Sequence, residues 1–178
     1  SKVVVGDPLN KKTQMGAITT EAQNATILSY IDKGKEEGAI LSFGSGALDT
    51  DVGRFIGPVI FENVTRDMKV YRDEIFGPVI SVSPFDTIDE AINMANDTKY
   101  GLAASVWSEN VEKVLQVSRQ VQAGRFWVNT TLAGGPELPL GGFKQSGWGR
   151  EAGKYGVEEY TQIKSVHFST GKRVHWIQ

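Results

Sequence analysis

The chain contains no cysteine, and that absence excludes disulfides, thiolate metal sites and a cysteine nucleophile of its own. Histidine is scarce as well. His167 and His175 fall in a terminal stretch that reads as strand, with no third ligand nearby, so ordinary strand or surface histidines explain them better than a metal site does. Charge of one sign is not in excess: 19 Lys and Arg stand against 21 Asp and Glu, a formal net charge of -2 spread without blocks. Such a surface has no electrostatic footprint for nucleic acid or an anionic membrane. No apolar run approaches the length of a membrane span, and Ser1 to Pro8 lack the regions of a signal peptide. The expected setting is cytoplasmic, with neither nucleic acid nor membrane as partner.

What is present is enough for one ordinary globular domain: 178 residues, 40% hydrophobic and 22% charged. Thr20 and Gln23 have capping-box spacing ahead of Ile27, Leu28 and Ile31 on one helical face, which predicts a helix from Thr20 to Glu37 stopped by Gly38. Ala39 to Phe43 reads as a strand, and Phe55 to Phe61, interrupted by Pro58, as an edge or irregular one. Val79 to Val82, Ala103 to Trp107 and Arg125 to Asn129 read as strands. Helices from Thr87 to Asn96 and from Asn110 to Val121 alternate with them. That β-α-β-α-β order predicts an α/β fold with parallel strands, right-handed crossovers and helices covering the sheet. A helix from Arg150 to about Tyr160, a strand from Ile163 to Phe168 and an extended amphipathic tail, Lys172 to Ile177, complete the expectation.

In a parallel sheet, ligands gather beyond the carboxyl ends of the strands. Asn129 ends one strand, and the loop from Thr130 to Leu140 leaves from it as a candidate pocket wall. Glu74 precedes Ile75-Phe76-Gly77-Pro78, a stiff turn that launches a strand. Its carboxylate can accept hydrogen bonds from both hydroxyls of a ribose, or it can pair with Lys69 or Arg72 as an ordinary surface ion pair. Phe76 can pack against a flat ring or simply fill core. Gly147 to Ala152 fits a loose dinucleotide fingerprint, but no strand precedes it. Ser146 misses a nucleophile elbow because Lys144 stands where the first glycine is required.

Several segments in order carry a family resemblance across nearly the whole chain. They are Val5-Gly6-Asp7-Pro8, Met15-Gly16, Gly53 to Phe61, Glu74 to Val79, Tyr100 to Ala104, Gly124 to Asn129, Gly141 to Glu151 and Tyr155-Gly156. Together they resemble the carboxy-terminal part of the NAD(P)-dependent aldehyde dehydrogenases. The resemblance implies an incomplete three-layer α/β/α catalytic domain over residues 1–164 and an oligomerisation strand over 165–178, in a homo-oligomeric parent, dimer or tetramer. It implies that Glu74 binds the nicotinamide-side ribose of NAD or NADP and that Phe76 packs by the nicotinamide. Asn129, Glu137 and Leu140 are then expected at the aldehyde pocket.

Reaction in the family begins when a cysteine thiolate attacks an aldehyde to give a thiohemiacetal; hydride passes to NAD(P)+ and a carboxylic acid is released. The cysteine, the general base and the nucleotide-binding domain precede the residues matched here, so the resemblance assigns no catalytic residue to this chain. Pro136 to Gly142 and Lys144 to Gly147 resemble the betaine aldehyde and aminoaldehyde branch. Glu137 and Trp148 are suited to a quaternary ammonium group, while Glu137 is equally suited to a solvated rim. The expected function is therefore a piece of an aldehyde dehydrogenase, inactive alone. The start at Ser1 without a methionine favours this over a non-catalytic interaction module that keeps the subunit-pairing surface.

Overall fold

A computed structural model of the chain describes residues 3–48 and 53–171, which group into two compact units, residues 1–86 and 87–178. The first unit is built on α1 (Glu21–Glu36). Thr20 caps this helix, its hydroxyl accepting from the backbone N–H of Gln23 at 3.1 Å. Gly38, at φ 94, takes the left-handed conformation just beyond the helix end. The apolar face seen in the sequence is the buried one: Ile27 and Ile31 are almost fully enclosed.

That face packs on a three-stranded sheet in the order β1 (Ile40–Phe43), β2 (Val59–Glu62), β3 (Val79–Ser81). β1 and β2 are antiparallel with a register shift between Leu41 and Phe43, whereas β2 and β3 are parallel, with Val59 opposite Val79 and Phe61 opposite Ser81. Alternation along β2 sends Val59 and Phe61 into the core. Ile56, Val64, Met68, Val70 and Ile75 close around them. Gly34 on α1 lets the Phe61 ring and Val70 approach closely, since a Cβ there would lie 3.1 Å from each. The crossover from β2 to β3 contains the single-turn α2 (Lys69–Arg72), too short to show periodicity in the sequence. Beside it Thr65 donates its hydroxyl to the Asp67 carboxylate at 2.6 Å, which, with the residue's own backbone N–H, holds that carboxyl below the ordinary range.

In the second unit β4 (Ala103–Val106) and β5 (Arg125–Val128) are parallel, with Ala103 opposite Arg125 and Val106 opposite Val128. They are joined through α4 (Val111–Gln120), and α3 (Ile88–Asn96) precedes them. Thr87 and Asn110 cap these helices by accepting from the backbone N–H groups of Glu90 and Lys113. A short α5 (Gly153–Glu158) follows.

β3 takes β2 as its parallel partner, through a short crossover missed in the sequence, and β4 takes β5. Two expectations are corrected. The helix expected from Arg150 to Tyr160 is confined to α5, because Gly149 and the capping Ala152 have positive φ and hold the chain out of helical geometry before it. Ile163 to Phe168 is not a strand, and Ile163 and Phe168 are exposed; a strand requires a hydrogen-bonded neighbour, and none pairs with this segment among the described residues. The tail from Lys172 to Ile177, with His175, lies outside the described residues. Among those that are described, no helix is long and apolar enough to cross a membrane, and no group of three His, Asp or Glu is placed to hold a metal ion.

Candidate cofactor and substrate site

The loop from Glu74 to Pro78 is held from three directions. Ile75 is anchored in the first unit's core at 8% exposure. The backbone carbonyls of Ile75 and Phe76 both accept from the side-chain amide of Gln23, at 3.0 and 3.2 Å. Pro78 is tied to β2 by the N–H of Val59, which donates to its carbonyl at 2.8 Å. Gly77 fits against Ile27 so closely that a Cβ would come within 2.7 Å of that side chain.

These anchors leave the two flanking side chains facing outward. Phe76 adopts φ 54, costly for a bulky residue, and is 81% exposed, so the alternative that it fills core is excluded. Glu74 is exposed, and among the described residues its carboxylate has no hydrogen bond or ion pair, so the pairing with Lys69 or Arg72 is not formed. A free carboxylate and a bare aromatic ring on a pinned backbone fit a ribose and its attached flat base: one accepts from hydroxyls, the other offers a face.

In the second unit Asn129 stands at the end of β5 with φ 53. Its side-chain amide is committed to Ser108, accepting from that residue's N–H at 2.8 Å and donating to its carbonyl at 3.0 Å. This ties the ends of β4 and β5 together. The loop after it is pinned by Ala133, whose carbonyl accepts from the Trp127 indole at 2.6 Å and from the Arg125 guanidinium at 3.2 Å. Glu137 is exposed on that loop, and its carboxylate folds back over Gly135. Leu140 exchanges backbone hydrogen bonds with Glu151 at 2.8 and 2.7 Å and lines an open cleft of about 880 Å³ with Leu102, Trp148, Val157 and Tyr160. Neither Asn129 nor Glu137 lines that cleft, and Trp148 is 97% exposed.

The glycine-rich stretch before Arg150 is a structural wrap. The hydroxyl of Ser146 accepts from the N–H of Gly101 at 2.9 Å, and the Lys144 ammonium donates to the carbonyls of Asn96 and Thr98 at 2.8 and 3.1 Å, capping the end of α3. Gly124 has no room for a side chain against the carbonyl of Gly141. Arg150 donates to the carbonyls of Gly142 and Gly149 and lies over the Phe143 ring. Lys144 and Arg150 could not be singled out from the sequence, because their partners are backbone carbonyls that no residue pattern reveals.

The family model "Aldehyde dehydrogenase family" matches residues 1–166. The chain belongs to the aldehyde dehydrogenase family. It is 47% identical to the betaine aldehyde dehydrogenase of Brucella anthropi over 174 residues, 96% of this chain and 36% of that protein. Among solved structures it is similar to an NAD-dependent aldehyde dehydrogenase from Sinorhizobium meliloti, with TM-score 0.94 and 46% identity over 99% of this chain and 35% of that one. A point mutant of betaine aldehyde dehydrogenase from Staphylococcus aureus in complex with NAD+ aligns with TM-score 0.91 and 36% identity, covering 99% of this chain and 37% of the other. The α/β architecture with its two small sheets and their parallel pairs is thus an incomplete aldehyde dehydrogenase catalytic domain, and the chain spans about a third of the length of these relatives.

Proposed function

We propose that this chain supplies the nicotinamide-side grip and part of the aldehyde pocket of an NAD(P)-dependent aldehyde dehydrogenase, as the carboxy-terminal part of its catalytic domain. The parent oxidises an aldehyde to a carboxylic acid; the thiol and the nucleotide-binding domain come from outside these residues, since no cysteine is present and only about a third of each relative described above is matched. The observation that carries the reading is the outward presentation of Glu74 and Phe76 on an anchored loop. Glu74 accepts from the hydroxyls of the ribose, and Phe76 gives the nicotinamide a wall. When bound, NAD or NADP accepts the hydride. The chain's own contribution is to fix where that acceptor stands, which matters because reacting atoms must be held close and aligned.

Asn129 acts on the pocket through the backbone it locks, while Leu140 offers an apolar contact beside the cleft. Glu137 and Trp148, both exposed, suit a cationic substrate such as betaine aldehyde or an aminoaldehyde, in keeping with the Brucella anthropi relative's name. Residues 165–178 serve subunit pairing in a cytoplasmic dimer or tetramer. In the full-length parent, Glu74→Gln is expected to slow single-turnover NADH formation about ten- to a hundredfold, the loss of a hydrogen bond to a charged acceptor. An unchanged rate removes Glu74 from the site.

A further inference from the structure

Thr20 and Gln23 have the spacing of a capping box, yet only half of the box forms. The Thr20 hydroxyl accepts from the Gln23 N–H, but the Gln23 side chain does not return to the N–H of Thr20. Its amide nitrogen instead crosses more than fifty residues of sequence to the carbonyls of Ile75 and Phe76. Both acceptors are carbonyl oxygens, so only the NH2 end of the amide satisfies them, and the orientation of the side chain follows from its partners. The contact meets the loop at its most constrained point: Phe76 is left-handed, Ile75 is buried and Gly77 is jammed against Ile27.

A local helix rule given up for a distant backbone contact marks a site where the geometry of that backbone matters. We infer that Gln23 is a positioning residue for the cofactor: it fixes the carbonyls of the two successive peptides that flank Phe76 and so sets the directions of the Phe76 ring and the neighbouring Glu74 carboxylate, without touching the cofactor itself. This inference rests on the reading of Glu74 and Phe76 given above. Thr20 holds the backbone of Gln23 and the core holds Ile75, so the amide joins two fixed points.

The test uses the full-length parent with Gln23→Met and Gln23→Glu, which keep the side-chain length and helix propensity but lack a donor; either variant serves if the other fails to fold. Hydrogen exchange in the absence of cofactor is read over residues 74–79 and, as a reference, over residues 27–31 in the core. NAD+ affinity is measured by calorimetry beside Glu74→Gln and wild type. The expected result is faster exchange at 74–79 with 27–31 unchanged, and NAD+ binding weakened on the order of tenfold, the loss of hydrogen bonds to neutral carbonyls. Unchanged exchange at 74–79 overturns the inference. So does faster exchange with wild-type NAD+ affinity while Glu74→Gln binds weakly, because the loop then grips without being held. If neither Glu74→Gln nor the Gln23 variants alter NAD+ binding, the cofactor reading itself falls and the inference with it.

Discussion

The two units of this chain are of nearly equal length and are held together by different physics. Residues 1–86 enclose Ile27, Ile31, Ile56, Val59 and Phe61 almost completely and need no help to hold the Glu74 loop still. Among the described residues of the second unit, only Ile92 and Val121 are buried hydrophobic side chains, while Trp107, Val111, Ile163 and Phe168 stay exposed. The order of this unit comes from hydrogen bonds, such as Asn129 to Ser108, Lys144 to Asn96 and Thr98, and Arg150 to Gly142 and Gly149. The apolar effect is worth more per residue than a neutral hydrogen bond. The first unit is therefore the one that carries positional precision by itself, and the side chains proposed to grip the cofactor are on it.

The largest expected effect removes any functional difference between the units. Purified alone, the 178-residue chain should give no NADH above the buffer rate with saturating NAD+ and a panel of aldehydes including betaine aldehyde. No thiol is available to attack, and the hydroxyl of Ser146 is already committed to Gly101. Sustained turnover in a contaminant-free sample would mean that a nucleophile on one of the units has been overlooked.

Next in size is the core of the first unit. Phe61→Ala should cost about 3–5 kcal/mol, read by urea unfolding, because its ring is fully enclosed between α1 and the sheet. In the second unit Lys144→Met, which releases the carbonyls at the end of α3, should cost only about 1 kcal/mol. If the two variants lose similar stability, the contrast between an apolar unit and a hydrogen-bonded one is wrong.

Much of the fold was legible wherever a signal is local. Thr20, Thr87 and Asn110 marked helix starts because capping acts over three residues, and Gly38 marked a stop because its conformation is its own. The parallel pairing of β4 and β5 followed from the helical connection between them. Partner choice was not legible: the sequence marked Val79 to Val82 as a strand without naming its neighbour, because the one-turn crossover at Lys69–Arg72 that joins it to β2 leaves no periodic trace. At the site, Glu74 and Phe76 could be named from chemistry and resemblance, but the choice between a solvent-facing and a paired or buried side chain required the fold. Gln23 was visible only as a helix signal, because its real partners lie across the unit. Asn129 was placed at the right strand end, yet what occupies its amide, the backbone of Ser108, depends on strand register.

The central claim is that an anchored backbone aims Glu74 and Phe76 at the cofactor, and the structure of the full-length parent with NAD+ bound tests it most directly. The account predicts Glu74 carboxylate oxygens within about 3.2 Å of the hydroxyls of the nicotinamide-side ribose, with Phe76 still left-handed beside the nicotinamide and Gln23 still bonded to both carbonyls. A ribose held elsewhere, with the Glu74 carboxylate left in solvent, would contradict it.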